Sequence, residues 1–168
     1  MIHQPKKLIF LVIALVFLST LPIFAKDTNS AAQKEFTDEM FFADRYILIL
    51  KSTKDYGEAV TFAKKAGKGL GLEFDNKHRE YSKKKGIYFS KDYEDDDYAG
   101  SYYPRRYPGE SVTLENSADY EGFSPGYIIV VGGIYNDKSG ADKALSRVKK
   151  IYKRARIRKT NMWMGCIH

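Results

Sequence analysis

Cysteine is nearly absent from this 168-residue chain: the single thiol, Cys166, lies close to the C-terminus. One thiol cannot form an internal disulfide, so the stability of the domain has to come from packing. Cys166 reads most simply as a small buried apolar residue, and an intermolecular disulfide is the sharper alternative. The pair Cys166-x-His168 has no companion Cys/His pair at useful spacing, which excludes a zinc site. Histidine is nearly as scarce, with three in all. Past residue 25 only His78 and His168 remain, and His78 stands between Lys77 and Arg79, which disfavours its protonation. A nucleophilic enzyme needs a base beside its nucleophile and a third group to orient it. G-x-S-x-G, a phosphate-cradling glycine loop and a metalloprotease helix are all missing. The sequence therefore predicts a protein that is not an enzyme and carries neither metal nor cofactor.

The N-terminus has the pattern of an export signal. Lys6 and Lys7 form a short positive region, Leu8 to Phe17 are uninterruptedly apolar, and Ser19 to Ala25 lead to a cleavage point after Ala25. Ile23 is bulkier than the small residue usual two positions before the cut. The competing expectation is a retained anchor, since Leu8 to Phe24 nearly reaches the length of a membrane span. No cysteine follows the apolar run, which disfavours a lipoprotein. Removal of residues 1–25 lowers Lys+Arg from 28 to 26 against 21 Asp+Glu, so the mature chain stays basic. Periplasmic or secreted localisation in a bacterium is expected, with attraction to an anionic surface or polymer. Export argues against nucleic acid as the partner.

The mature chain has the length of one domain, and within it one unit is written twice. The first copy runs from an apolar strand, Tyr46 to Leu50, through a helical pattern from Tyr56 to Ala66 to an alternating strand from Leu70 to Phe74. The second runs from Tyr127–Val131 through a helical pattern from Ala141 to Tyr152 to Arg154–Arg158. Asp55 with Glu58, and Ser139 with Asp142, are the expected helix caps, and Gly67 and Gly69 are expected to end the first helix. The opening strands are apolar at nearly every position and belong at the centre of a sheet; the closing strands alternate and belong at its edges. A doubled βαβ predicts an α+β, ferredoxin-like βαββαβ domain over residues 44–168, preceded by a leader over 26–43 whose Phe36, Met40 and Phe41 lie at helical spacing. Residues 75–126 form a long insert between the halves. It holds eight tyrosines and two candidate extra strands, Gly86 to Ser90 and Ser111 to Glu115.

The run Tyr127-Ile-Ile-Val-Val-Gly-Gly-Ile-Tyr-Asn-Asp-Lys-Ser-Gly-Ala141, followed by Ala144-Leu145 and Val148-Lys149-Lys150, resembles the second half of a SPOR (sporulation-related repeat) domain, with Gly132, Ile134, Ala141 and Leu145 in the matching positions. In the first half Glu58-Ala59 agree, while Lys51-Ser52-Thr53 replace the usual glycine and aromatic residue. The resemblance implies an exported bacterial domain whose open sheet face binds peptidoglycan glycan strands stripped of stem peptides.

Two clusters are candidates for ligand contact. Arg154, Arg156 and Arg158 alternate with Ala155 and Ile157, which would project three guanidinium groups from one strand face, near Lys149, Lys150 and Lys153. Such forks engage carboxylate or phosphate in bidentate fashion, and the same charges on an edge strand would discourage pairing with other chains. Tyr102, Tyr103, Arg105, Arg106 and Tyr107 offer stacking surfaces and donors suited to a sugar or a protein, or pack the insert on the core. The acidic run Asp92, Glu94, Asp95, Asp96 and Asp97 lacks the ligand spacing of a calcium loop. The expected function is binding of peptidoglycan or another anionic envelope polymer. The alternative is a protein-binding module, an inhibitor or immunity protein, acting through residues 92–108.

Overall fold

A computed structural model describes residues 41–165. The signal segment, residues 26–40 of the leader, Cys166 and His168 lie outside the described residues. None of the described helices is long and apolar enough to cross a membrane. The chain is mixed α+β. In order it forms β1 (Phe42–Thr53), α1 (Tyr56–Leu70), β2 (Phe74–Asp75), β3 (Arg79–Ser82), β4 (Gly86–Phe89), β5 (Val112–Asn116), a 3-10 turn (Ser117–Asp119), β6 (Ile128–Tyr135), α2 (Lys138–Val148) and β7 (Arg156–Trp163). The five-stranded sheet has the order β2-β5-β6-β1-β7, antiparallel throughout except for β2 against β5. β1 and β5 are thus parallel across β6, and β6 and β7 are parallel across β1. Two crossover units interleave, and the strands opening each of them, β1 and β6, are the central pair. β3 and β4 form a separate hairpin.

Both faces of the central strands are buried. On one face Leu48, Leu50, Ile128 and Val130 meet the alanine stripe Ala59, Ala63 and Ala66 of α1 and Ala144 and Val148 of α2. On the other, Ile47, Ile49, Ile129, Val131 and Ile134 lie under Tyr120, Phe123, Met162 and Met164. That is why β1 and β6 read as unbroken apolar runs: strands covered on both sides have no wet positions to alternate with. The open face that the family resemblance implies for glycan is therefore occupied here by the chain's own β5–β6 connection and C-terminal residues.

Helix ends and edge strands differ in part from the sequence pattern. Asp55 caps α1 as expected, its carboxylate accepting from the Glu58 N–H at 2.7 Å. α1 does not stop at Gly67. It continues to Leu70 and is closed by left-handed Gly71, whose N–H bonds the Gly67 carbonyl. Gly67 serves close approach instead: a Cβ there would stand 2.9 Å from the Leu72 carbonyl oxygen. Of the expected strand over Leu70–Phe74, Leu70 belongs to the helix, Gly71 caps it, Leu72 and Glu73 are irregular, and only Phe74 is in a strand, the two-residue β2. The strand that completes the first crossover is β5, so the extra chain lies inside the first unit, between α1 and β5, and not between the halves. α2 is capped by Asp137, whose carboxylate accepts from Gly140 N–H at 2.8 Å, in place of the expected Ser139 and Asp142. β1 starts at Phe42 and takes the last two residues assigned to the leader. β7 begins at Arg156, so Arg154 precedes the strand.

The insert is fastened to β5 by two adjacent polar residues. Asn116 clamps β4 at both ends of its amide, Oδ1 accepting from Ile87 N–H at 3.0 Å and Nδ2 donating to Ile87 carbonyl at 3.1 Å. Glu115 is fully buried, and one of its oxygens accepts from the Tyr102 hydroxyl at 2.6 Å, the Arg105 N–H at 3.2 Å and the Arg79 guanidinium at 3.3 Å. Arg79 also donates to the Leu114 carbonyl at 2.9 Å and lies over the rings of Phe89 and Tyr102. A buried charge without its partner is costly, so Glu115→Ala is expected to destabilise the fold by about 3–5 kcal/mol. Glu115→Gln, which keeps an acceptor and the volume, is expected to cost less. Denaturant titration checks this through the midpoint at constant slope; a loss below about 1 kcal/mol for Glu115→Ala would refute the role assigned to the carboxylate.

Candidate functional site

An open groove of about 600 Å³ lies between the C-terminal half of β1, α1 and the segment leading into β7. Its floor is Leu50, Phe62 and Tyr152, the two rings meeting edge to face at 5.3 Å between centroids. Its rim carries Lys51, Lys153, Arg154 and Arg156. The local fold explains the convergence. β7 pairs antiparallel with β1, setting Arg156 opposite Ile49, and Arg156 donates to the Ser52 hydroxyl at 2.8 Å. The turn after α2 brings Tyr152 against Gly69, where a Cβ would stand 3.0 Å from the phenol oxygen. The one acid in the groove, Glu58, is bound to Lys51 at 2.6 Å and to the Thr53 hydroxyl, and these bonds hold its carboxyl below the usual carboxylate range. Among the described residues Lys153 and Arg154 make no ion pair. The groove therefore presents the cations of Lys153 and Arg154 above an apolar, partly aromatic floor.

The structure separates the residues expected to bind ligand. Arg154 and Arg156 line the groove. Arg158 is on the same strand face as Arg156 but turns to the next hollow, where it donates to the Gly122 carbonyl and lies 5.2 Å from the centre of the Phe123 ring. It pins the loop that covers the second sheet face. Tyr102, Arg105 and Arg106 are likewise internal fasteners. Arg105 donates to the carbonyls of Gly109 at 2.7 Å and Ser111 at 3.0 Å; Arg106 crosses to the Gly165 carbonyl at 2.9 Å and stacks on Trp163. Tyr103 packs on Tyr98, which belongs with Tyr93 and Phe89 to one aromatic cluster. Only Tyr107 stands free, 68% exposed. Lys51, Phe62 and Tyr152 were missed as groove residues because each satisfies a local pattern, strand end or helix face, and their meeting depends on the β1–β7 pairing. No family model, curated protein or solved structure matches this chain.

Two phenols record how dry the underside of the insert is. Burial, reinforced by the Glu115 charge, pushes Tyr102 and Tyr120 well above the ordinary tyrosine range. Both keep their protons in the folded state while the unfolded chain loses them above about pH 10. The unfolded state then binds fewer protons, so stability is full below pH about 10 and falls as pH rises, by about 1.4 kcal/mol per pH unit for each phenol. The expected outcome is a biphasic tyrosinate absorbance titration whose late phase coincides with loss of the near-UV circular dichroism. Tyr120→Phe is expected to make the alkaline decline shallower. A single phase ending before unfolding would show that these phenols are accessible in the native state.

Proposed function

We propose that this chain is an exported, non-enzymatic binding protein of the bacterial cell envelope, built on the ferredoxin-like, SPOR-like βαββαβ plan, and that it holds peptidoglycan glycan in the cationic groove. The plan is supported by the interleaved crossovers, in which β5, β6, β1 and β7 take the order of a doubled βαβ with both helices on one face. The observation that carries the ligand is the groove itself: Lys153, Arg154 and Arg156 above Phe62 and Tyr152. A glycan stripped of its stem peptides bears a carboxylate on every second sugar. Guanidinium forks suit that carboxylate, and apolar ring surfaces suit the sugar faces between. The ligand moves from the sheet face to the sheet edge, because the face is covered. Periplasmic or secreted localisation follows from the export signal under this reading.

A second reading, a protein-binding module, is favoured by the acidic loop. Asp92 and Glu94 to Asp97 are exposed and make no ion pair among the described residues, and the Tyr93–Tyr98–Tyr103 cluster stiffens the segment that presents them. Deletion of residues 92–108 would remove Tyr102 and Arg105 from Glu115 and so disrupt the fold. Asp92→Asn with Glu94→Gln and Asp95→Asn is the cleaner probe, expected to abolish capture of a stoichiometric envelope protein if this reading holds.

Purified peptidoglycan, before and after amidase trimming, is the direct test. Enrichment of the chain is expected on both and more strongly after trimming; enrichment on neither sinks the glycan reading. Arg154→Gln with Arg156→Gln is expected to weaken binding at low salt and flatten its ionic-strength dependence, with stability changed by no more than about 0.5 kcal/mol per site. If those arginines serve only to guard the β7 edge, the same variant would keep its salt dependence and self-associate.

A further inference from the structure

The groove does not end at Arg156. Ser52 and Arg156 also line a second hollow of about 210 Å³, with Phe123, Tyr127 and Arg158 around it. Tyr127 in turn lines a third, of about 290 Å³, whose other walls include Tyr81, Lys54 and the β3–β4 hairpin turn Lys83, Lys84 and Lys85. The three hollows are joined through shared residues around the C-terminal end of β1. Each contains an aromatic ring with a cation above it at the same separation: Lys51 over Phe62, Arg158 over Phe123 and Lys54 over Tyr127, all at 5.2 Å from the ring centre. Along the whole course the acids are Glu58, already bound to Lys51, and Asp119.

We infer that the three hollows form one continuous track for an extended polyanion, and that its ligand is a long carboxylated glycan strand in place of a terminal sugar or a single repeat. This rests on the glycan reading above and adds length and path to it. The hollows are open to solvent, so none of them encloses a small molecule on its own. Cations spaced along a path reward a ligand whose charges are also spaced, because each contact after the first is made at high effective concentration. A cation held beside each ring sets a positive charge next to an apolar surface, the pairing that a chain of sugars bearing carboxylates calls for. The hairpin lysines also acquire a role here. They lie within the tyrosine-rich insert, and Asn116 holds that hairpin against β5, so the clamp places the far end of the track.

The chain is titrated with amidase-trimmed glycan fragments of increasing length, from a disaccharide and a tetrasaccharide to long strands, and with a single-stranded oligonucleotide matched in charge to the long strand. Affinity is expected to rise by at least about tenfold from tetrasaccharide to long strand. Lys54→Gln with Lys83→Gln and Lys84→Gln, all exposed positions, is expected to lower long-strand affinity and close most of that gap. Equal affinity for tetrasaccharide and long strand, or a triple variant that binds long strands as tightly as the original, overturns the track while leaving glycan binding in the groove intact. Binding to no fragment of any length overturns the glycan reading itself. Tighter binding of the oligonucleotide than of the long strand overturns the assignment of the track to glycan.

Discussion

One buried carboxylate organises the part of this protein that its doubled unit does not explain. Glu115 points from β5 to the sheet face without helices, where a lone charge would be prohibitively costly, and it gathers Arg79 from β3, Tyr102 from the returning loop and the Arg105 main chain onto a single oxygen. Burial alone would pull the Arg79 guanidinium down, and the charge and hydrogen bond of Glu115 reverse that, leaving it firmly protonated. With Asn116 beside it, the pair converts a stretch of more than thirty residues from a loop into a wall. Loops of that length inside a domain are otherwise uncommon unless they carry function.

The parts of the fold legible in the sequence were those set by local pattern. The two central strands, the alanine stripe of α1, its Asp55 cap and the candidate strands over Gly86–Ser90 and Ser111–Glu115 all follow from periodicity and capping chemistry within short windows. What failed was the assignment of β5. Leu70 to Phe74 alternates as a strand would, and it lies at the expected distance from the helix. Leu70 and Leu72 instead pack on the core from a helix end and the turn after it, and only Phe74 does so from a strand, because Gly67 and Gly69 admit close neighbours instead of ending the helix. The true partner strand stands about forty residues further on. No local window carries that information, since it depends on which strand can reach β6.

The arginine-rich segments were misjudged in a related way. Counting guanidinium groups treats them as equivalent, whereas their worth to a ligand depends on what they already bond. Arg105, Arg106 and Arg158 spend their donors on main-chain carbonyls of the insert, the β5–β6 connection and the C-terminal segment. A carbonyl oxygen has two lone pairs, and a planar fork of five donors is well suited to reach several such oxygens where a loop crosses a sheet face. Arg156 lies where regular pairing with β1 supplies the main-chain bonds, Arg154 stands in the turn just before it, and neither makes an ion pair among the described residues.

A sheet buried on both faces constrains where such a protein can bind anything. With the helices on one side and the Tyr120–Phe123 loop on the other, most of both strand faces is covered, and what is left is the rim at which β1, β7 and the connecting turns end. Positive charge collects there for a reason independent of function, because β7 is an unpaired edge and cations deter other strands from adding to it. Edge protection and recognition of a polyanion therefore make the same demand on the same residues, and a strand that had acquired arginines for the first purpose would already have met most of the requirements of the second. The features that edge protection alone does not require are the ones away from the strand: the apolar floor of Phe62 and Tyr152, and the lysines of a hairpin on another part of the molecule.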